Sequence, residues 1–310
     1  MLTENQWKLV FKLNSFLLIY CYFLLFFNFF INIIFFVDKN LVSKINMLQK
    51  SIKGKYIIAI PSYKRSKFIQ THTLKVLEDY KIKIELIYIF VANKLEKEEY
   101  IKELPKKYHP NIIIGVKHLY KQRNFICNYF EDSQYIIFMD DDIRKINELS
   151  NYNSKERKSN KLIKLKNLNK FILDSFKILQ ENKSFIWGVY PINNAYFMFP
   201  RMTTDLRFLV GPFFGIINRR EKDLQLTLEE KEDVQRTLQY YSKDGIVIRF
   251  NNVTIDTTYY KNKGGLQEFR KDRKAESLKS AQYLHKQYPE LTRIKQTKKS
   301  GITEIELLRK

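Results

Sequence analysis

From residue 55 onward the chain alternates short apolar, β-branched runs with amphipathic ones. Tyr56–Ile60, Ile84–Ala92, Ile112–Val116 and Tyr135–Met139 have the run-like pattern of buried strands. Thr71–Tyr80, Lys97–Lys107 and Lys121–Phe130, lying between them, have helical spacing. This β-α-β-α-β-α-β order predicts a mostly parallel sheet covered on both faces, a Rossmann-like half in which ligands sit beyond the carboxyl ends of the strands. Farther on, Ser150–Lys166 is polar and Lys-rich and reads as a mobile loop leading into a helix at Leu168–Leu179. Phe185–Tyr190, Phe208–Asn218 and Ile246–Asn251 read as further strands. Glu229–Ser242 is an amphipathic helix, acid-rich at its start and stopped by Gly245, and Asp272–Tyr288 is a last helix ended by Pro289. No internal repeat is present.

The N-terminal pattern differs. Phe16–Val37 runs 22 positions without a charge, diluted only by Asn28 and Asn32, which is long enough to span a bilayer as a helix. It exceeds the usual apolar length of a signal peptide and no small-residue cleavage site follows it. Lysines are denser on its C-terminal flank, so the positive-inside tendency turns the rest of the chain toward the cytoplasm. Met47 stands just before the first strand, which leaves residues 1–46 either as a membrane anchor or as an upstream extension the working protein lacks. In the second case the remaining domain would be cytoplasmic or nuclear. The expected division is therefore 1–46, with a transmembrane candidate at 16–37, and a domain over 55–310, itself split into halves 55–143 and 144–310.

Composition changes the picture little. The 310 residues carry 55 Lys+Arg against 33 Asp+Glu, a formal net charge of +22, which makes a polyanionic partner such as nucleic acid or an acidic membrane plausible. The abundance of Lys, Asn, Ile, Phe and Tyr also fits AT-rich coding. Two cysteines, Cys21 and Cys127, and four scattered histidines exclude a disulfide scaffold and give no zinc-ligand spacing.

The chemistry concentrates at YIIFMDDDI, Tyr135–Ile143, an apolar run that ends in three aspartates. In an extended segment side chains alternate, so Asp140 and Asp142 are expected on one side of the strand end and Asp141 on the other. Convergent carboxylates suit Mg²⁺ or Mn²⁺, with water and substrate phosphates completing the shell, and so point to a nucleotide or nucleotide-sugar site. The competing reading is a solvated turn with an Asp cap. Arg65 and Arg123 are candidates to pair phosphate through their planar donor forks, with surface salt bridges as the alternative. Trp187, Tyr190, Tyr196 and Phe213 are candidates to line an acceptor pocket by stacking, although core packing is the commoner fate of such side chains.

Four features stand in a telling order: Ile60-Pro61-Ser62-Tyr63-Lys64-Arg65-Ser66, then Phe90-Val91-Ala92-Asn93, then Lys121-Gln122-Arg123-Asn124, then Asp140-Asp141-Asp142. Together they resemble the nucleotide-sugar half of a GT-A glycosyltransferase of the family-2-like group. Glu229-Glu230-Lys231-Glu232-Asp233 resembles the acidic motif that supplies the base in its inverting members. More narrowly, Ile58–Ser66, Ile89–Asn93, Met139–Ile143, Gly211–Gly215, Glu232–Phe250 and Tyr259–Gly265 resemble the TET/JBP-associated glycosyltransferases, the group of the base J glucosyltransferase. The resemblance covers roughly Lys55–Leu291 and implies an α/β GT-A fold. It also implies a nucleotide-sugar donor such as UDP-glucose, bound by Pro61, Ser62, Tyr63, Lys64, Arg65, Asn93, Arg123, Asn124, Asp140 and Asp141. It further implies a metal at Asp140 and Asp142, a general base at Asp233 or Glu232, and acceptor contacts at Trp187, Tyr190, Gly211 and Phe213. By the same resemblance the acceptor is a hydroxymethylated base in DNA. A membrane-associated enzyme acting on glycan, lipid or protein is the alternative within the same chemistry, and an inactive basic nucleic-acid-binding module the alternative outside it. Lys261 and Lys263 with Gly264-Gly265 would form either a phosphate-contacting flap or a plain turn.

Overall fold

The computed structural model describes residues 56–257, 264–265, 272–296 and 301–309, all of them within one compact unit, Gly54–Lys310. The apolar segment 16–37, the extension 1–46, and Lys261 and Lys263 lie outside the described residues.

The strands are β1 Tyr56–Pro61, β2 Ile87–Val91, β3 Ile112–Ile114, β4 Tyr135–Met139, β5 Ile143–Asn151, β6 Lys161–Lys164, β7 Ile186–Tyr190, β8 Met202–Thr203, β9 Phe213–Ile217, β10 Ile248–Thr257, β11 Thr292–Gln296 and β12 Thr303–Leu307. The α-helices are α1 Ser66–Ile69, α2 Lys75–Asp79, α3 Lys94–Glu103, α4 Leu119–Tyr129, α5 Leu168–Glu181, α6 Glu232–Asp244 and α7 Arg273–Gln287. A π-helical turn, Gln70–Leu74, joins α1 to α2. The main sheet runs β3-β2-β1-β4-β9-β7-β10-β5-β6, with β8 beside β10, and β11-β12 form a separate hairpin.

β1 to β4 pair in parallel and read YIIAIP, IYIFV, III and YIIFM, the near-continuous apolar runs of strands covered on both faces. Beyond β4 the sheet turns mixed. β9 lies antiparallel to β4 and to β7, and β5 antiparallel to β10 and β6, while β7 and β10 are parallel. Among the described residues this gives five antiparallel pairings in the main sheet against four parallel, so the fold is an evenly mixed α/β sheet rather than a mostly parallel one.

The Lys-rich stretch expected to be a mobile loop instead contributes the end of β5 and all of β6, an edge hairpin. Its signal was weak because only Ile143 and Ile146 of β5 are buried and β6 has no buried residue, so apolar alternation is nearly absent. The first helical segment begins at Ser66, five positions before the expected Thr71, and Phe208–Pro212 precedes β9 as loop.

Trp187 and Phe213 are fully buried, packed edge to face with ring centroids 5.4 Å apart, and Phe171, Phe176 and Phe250 surround Trp187. These two aromatics are core, not acceptor-pocket wall: on mid-sheet strands covered by α5 their faces are consumed by packing. Close approach fixes Gly215 as well, since a Cβ there would lie 2.4 Å from Trp187 Nε1.

Candidate active site

At the carboxyl ends of β1 and β4, where the parallel order predicts a ligand, lies a cleft of about 370 Å³. Its lining includes Pro61, Ser62, Tyr63, Arg65, Arg123, Asp140, Asp141, Asp142, Gly211, Glu232 and Asp233, gathered from five separate stretches of chain.

The three aspartates occupy a tight turn between β4 and β5, not an extended strand end, so simple side-to-side alternation does not apply. The π-helical turn holds them. Thr73, fully buried there, donates from Oγ1 to the Asp140 carbonyl at 2.6 Å and accepts from the Ile143 amide at 3.0 Å, clamping both ends of the turn. Such π-turns are often tied to functional sites. Asp141 accepts from Ser62 Oγ at 2.5 Å and from Arg65 Nη1 at 2.7 Å, which ties the turn to the loop after β1. Asp142 accepts from Thr257 Oγ1 at 2.5 Å, with Arg65 Nη1 3.6 Å from its other oxygen. Asp140 accepts from Arg123 Nη2 at 3.2 Å.

Burial, and then the mutual repulsion of these carboxylates, raise Asp142 to about 7, while burial raises Asp140 to about 6 against the attraction of Arg123. Two carboxylates that resist ionisation beside a third suit a divalent cation, whose charge would relieve both desolvation and repulsion. Among the described residues no group of three or more His, Cys, Asp or Glu could hold a metal ion on its own. Mg²⁺ binds through one or two carboxylates, with water and phosphate oxygens supplying the rest. Asp140 and Asp142 therefore fit the group the resemblance implies.

The start of α6 joins the same lining, linked to the aspartate turn through Arg123. Arg123, with its side chain 2% exposed, donates from both terminal nitrogens to the Gly211 carbonyl at 3.1 Å and lies 3.4 Å from Glu232 Oε1. Arg236 donates to Glu232 Oε2 at 2.8 Å, and its guanidinium stacks 3.6 Å over the Phe214 ring. Glu232 thus has each carboxylate oxygen beside a buried guanidinium. Asp233 has no cation within ion-pair distance among the described residues and accepts only from the Val234 amide at 2.9 Å. Burial, and then repulsion by Glu232, raise it to about 6. A half-buried carboxylate facing a cleft with a pKa near neutrality can take a proton from a substrate hydroxyl.

Several sequence candidates serve the scaffold instead. Asn93 caps α3, accepting from the Glu96 amide at 3.0 Å, and Asn124 bonds the Leu226 amide and carbonyl at 2.9 and 2.8 Å, so neither lines the cleft. Asn93 is consumed by the local backbone of its cap, as Asn favours, whereas Asn124 pins the distant Leu226 backbone. Lys64 is held through its backbone amide to Glu96 at 3.0 Å and does not line the cleft. Tyr190 sits under Arg249, away from the lining. Gly211 is on it: a Cβ there would come within 3.0 Å of Glu232 Oε1. Gly264 and Gly265 pack on the loop after β1, Gly265 donating to the Tyr63 carbonyl at 3.0 Å. Their φ angles of +82° and +63°, with a Cβ at Gly264 only 2.9 Å from two carbonyls, require glycine.

Sequence reading missed Thr73, Tyr100, Arg236 and Thr257. Tyr100, fully buried, bonds Ser62 Oγ at 2.6 Å and accepts from the Arg65 amide at 3.2 Å, which fixes the loop after β1 from below. Each reaches the site from a different element, and nothing in its local sequence marks it.

No protein-family model matches the chain, and no curated protein does. Solved structures overlap it in part. TarS of S. aureus, residues 1–349, gives a TM-score of 0.41 at 15% identity over 65% of this chain, which spans only 59% of that structure. Its complex with UDP-GlcNAc gives 0.42 at 13% identity over 76% of this chain and 73% of the other. The 4-diphosphocytidyl-2C-methyl-D-erythritol synthase of Anaerococcus prevotii gives 0.37 at 15% identity over 67% and 93%. Overlap at this level says nothing of chemistry.

Proposed function

We propose that the chain is an inverting glycosyltransferase that moves a hexose from a nucleotide-diphosphate sugar to an acceptor hydroxyl. The observation that carries the reading is the pairing, across one cleft, of a carboxylate turn backed by Arg65 and Arg123 with a separate carboxylate, Asp233, that lacks a cationic partner among the described residues. A diphosphate leaving group and an acceptor hydroxyl need these two different environments on opposite sides of the reacting carbon.

In this reading Ser62, Tyr63 and Arg65 hold the donor against the loop after β1. Asp140 and Asp142 would hold Mg²⁺ or Mn²⁺, which when bound supplies Lewis-acid neutralisation of the diphosphate. Asp233 takes the proton of the acceptor hydroxyl as the oxygen attacks the anomeric carbon and the bond to the diphosphate breaks, so a single displacement inverts the configuration there. Glu232, braced by Arg123 and Arg236, keeps Asp233 in place and raises its proton affinity by repulsion. TarS, one of the partial structural neighbours, is solved with UDP-GlcNAc and with UDP, the donor class proposed here.

For the acceptor, the family resemblance and the net charge of +22 favour a hydroxymethylated base in DNA. A base in a duplex must first be flipped out, so unpaired sites would react faster. The test is incubation with a panel of nucleotide sugars and plain DNA, hydroxymethylated DNA, glycan or lipid acceptors, followed by mass spectrometry for hexose addition. Transfer to hydroxymethylated DNA is expected. Transfer to glycan or lipid alone would keep the transferase reading and remove DNA, and no transfer from any donor would remove both.

A further inference from the structure

Behind the cleft wall lies a second basic site that the transfer chemistry does not use. Arg249 on β10 is 7% exposed, yet it makes no ion pair among the described residues. Its Nε donates to Asn251 Oδ1 at 2.8 Å and its Nη1 to the Phe208 carbonyl at 3.3 Å, both neutral acceptors, while Nη2 makes no hydrogen bond there. The Tyr190 ring lies 5.2 Å from the guanidinium carbon. Arg207 and Arg309 both act on Arg249 as repelling charges. Asp205, a carboxylate that acts on Arg249, is already engaged by Arg207 Nε at 2.9 Å to each oxygen.

Arg249 thus lies buried beside the Arg207–Phe208 backbone with only neutral acceptors, within the field of Arg207 and Arg309. Burying a cation without an anion costs far more than an aromatic face returns, so such a group commonly marks the place of an anion that binds from outside. Burial, and then Arg207, hold Arg249 down at about 10, as expected of an uncompensated cluster. The planar forks of three arginines match the oxygens of a phosphoryl group. Phe208, whose carbonyl Arg249 holds, lines the cleft, whereas Arg249 itself does not, so an anion at Arg249 would sit behind that wall.

We propose that Arg249, Arg207 and Arg309 form a phosphate-binding subsite for a phosphate ester carried by the acceptor. It deepens the function proposed above by assigning a group on the acceptor, and its binding is measurable without turnover.

The experiment titrates inorganic phosphate into the full-length protein with the cleft saturated by UDP, at constant ionic strength. Wild type is expected to bind phosphate under these conditions. Arg249→Gln is expected to weaken binding at least tenfold and Arg207→Gln with Arg309→Gln at least fivefold, while Arg65→Gln leaves it unchanged. The double variant keeps the test informative if Arg249→Gln fails to fold, because Arg309 is exposed and Arg207 partly so. Three further arms identify the source by competition with phosphate: a short single-stranded oligonucleotide, glycerol phosphate, and vesicles of phosphatidylglycerol. Phosphate binding that disappears once UDP fills the cleft, or that survives in the double variant, would overturn the subsite. A protein that transfers no sugar yet loses phosphate binding in these variants would sink the transferase reading and keep the subsite.

Discussion

Two carboxylates of the cleft are predicted to fail in different ways. Asp142→Asn removes one charge from the pair that would hold the metal, so it should abolish transfer and weaken nucleotide-sugar binding in Mg²⁺ or Mn²⁺ while leaving the fold intact. Calorimetric binding together with circular dichroism checks both. Asp233→Asn should leave donor binding nearly unchanged and lower transfer by roughly 10²–10⁴-fold, the span usual for loss of a general base. With Asp233 raised to about 6, the wild-type rate should fall as pH drops through 6, and a pH–rate profile reads that limb directly. The same shift has a stability sign. A carboxyl that binds its proton more tightly when folded gives the native state an advantage below its unfolded value that is lost as pH rises through 4 to 6. Above pH 7 the buried charge costs on the order of 3 kcal/mol for a shift of about two units. Asp233→Asn should therefore raise the melting temperature at pH 8 and have little effect at pH 4. The three aspartates were legible in the sequence as acids ending an apolar run, but the tight turn they form was not, because Thr73, about seventy residues earlier, clamps it. Arg236 was not, because a lone arginine inside an amphipathic helix reads as surface until Glu232 and Phe214 are seen around it.

The element that most shapes the site is the π-turn at Gln70–Leu74. Thr73→Val preserves volume but leaves the Asp140 carbonyl and the Ile143 amide without their partner, at about 1–3 kcal/mol for buried groups left unsatisfied. It should lower the unfolding midpoint accordingly and weaken donor binding, since the aspartate turn loses its clamp. Chemical denaturation and donor titration of the variant check the two effects. β1, β2 and β4 were readable within a few residues because strands buried on both faces leave continuous apolar runs. The β5–β6 hairpin was not, since an edge pair with one face in solvent and lysine on most positions carries almost no apolar period. Helix boundaries slipped where the turn chemistry was unusual: α6 begins after Lys231 in a left-handed conformation, φ +67°, which no glycine or asparagine announces.

Across the molecule, the parallel half of the sheet places the donor loops at the carboxyl ends of β1 and β4, and α6, which follows the antiparallel β9, adds its start to the same cleft. Met47–Lys310 should fold and transfer sugar on its own, because among the described residues the sheet begins at Tyr56 and every contact of the cleft described above comes from Tyr56 onward. Expression with and without residues 1–46, compared by cooperative melting, checks it; loss of folding on truncation would move the domain boundary toward the N-terminus.

The central claim is that one cleft binds a nucleotide sugar and breaks its glycosidic bond in favour of an acceptor. Release of nucleoside diphosphate from a nucleotide-sugar panel, followed with acceptor present for wild type, Asp142→Asn and Asp233→Asn, tests it most directly. The account predicts acceptor-dependent release by wild type, none by Asp142→Asn, and retained donor binding with release reduced at least a hundredfold for Asp233→Asn. Equal release by all three proteins, or no release from any nucleotide sugar by wild type, would contradict it.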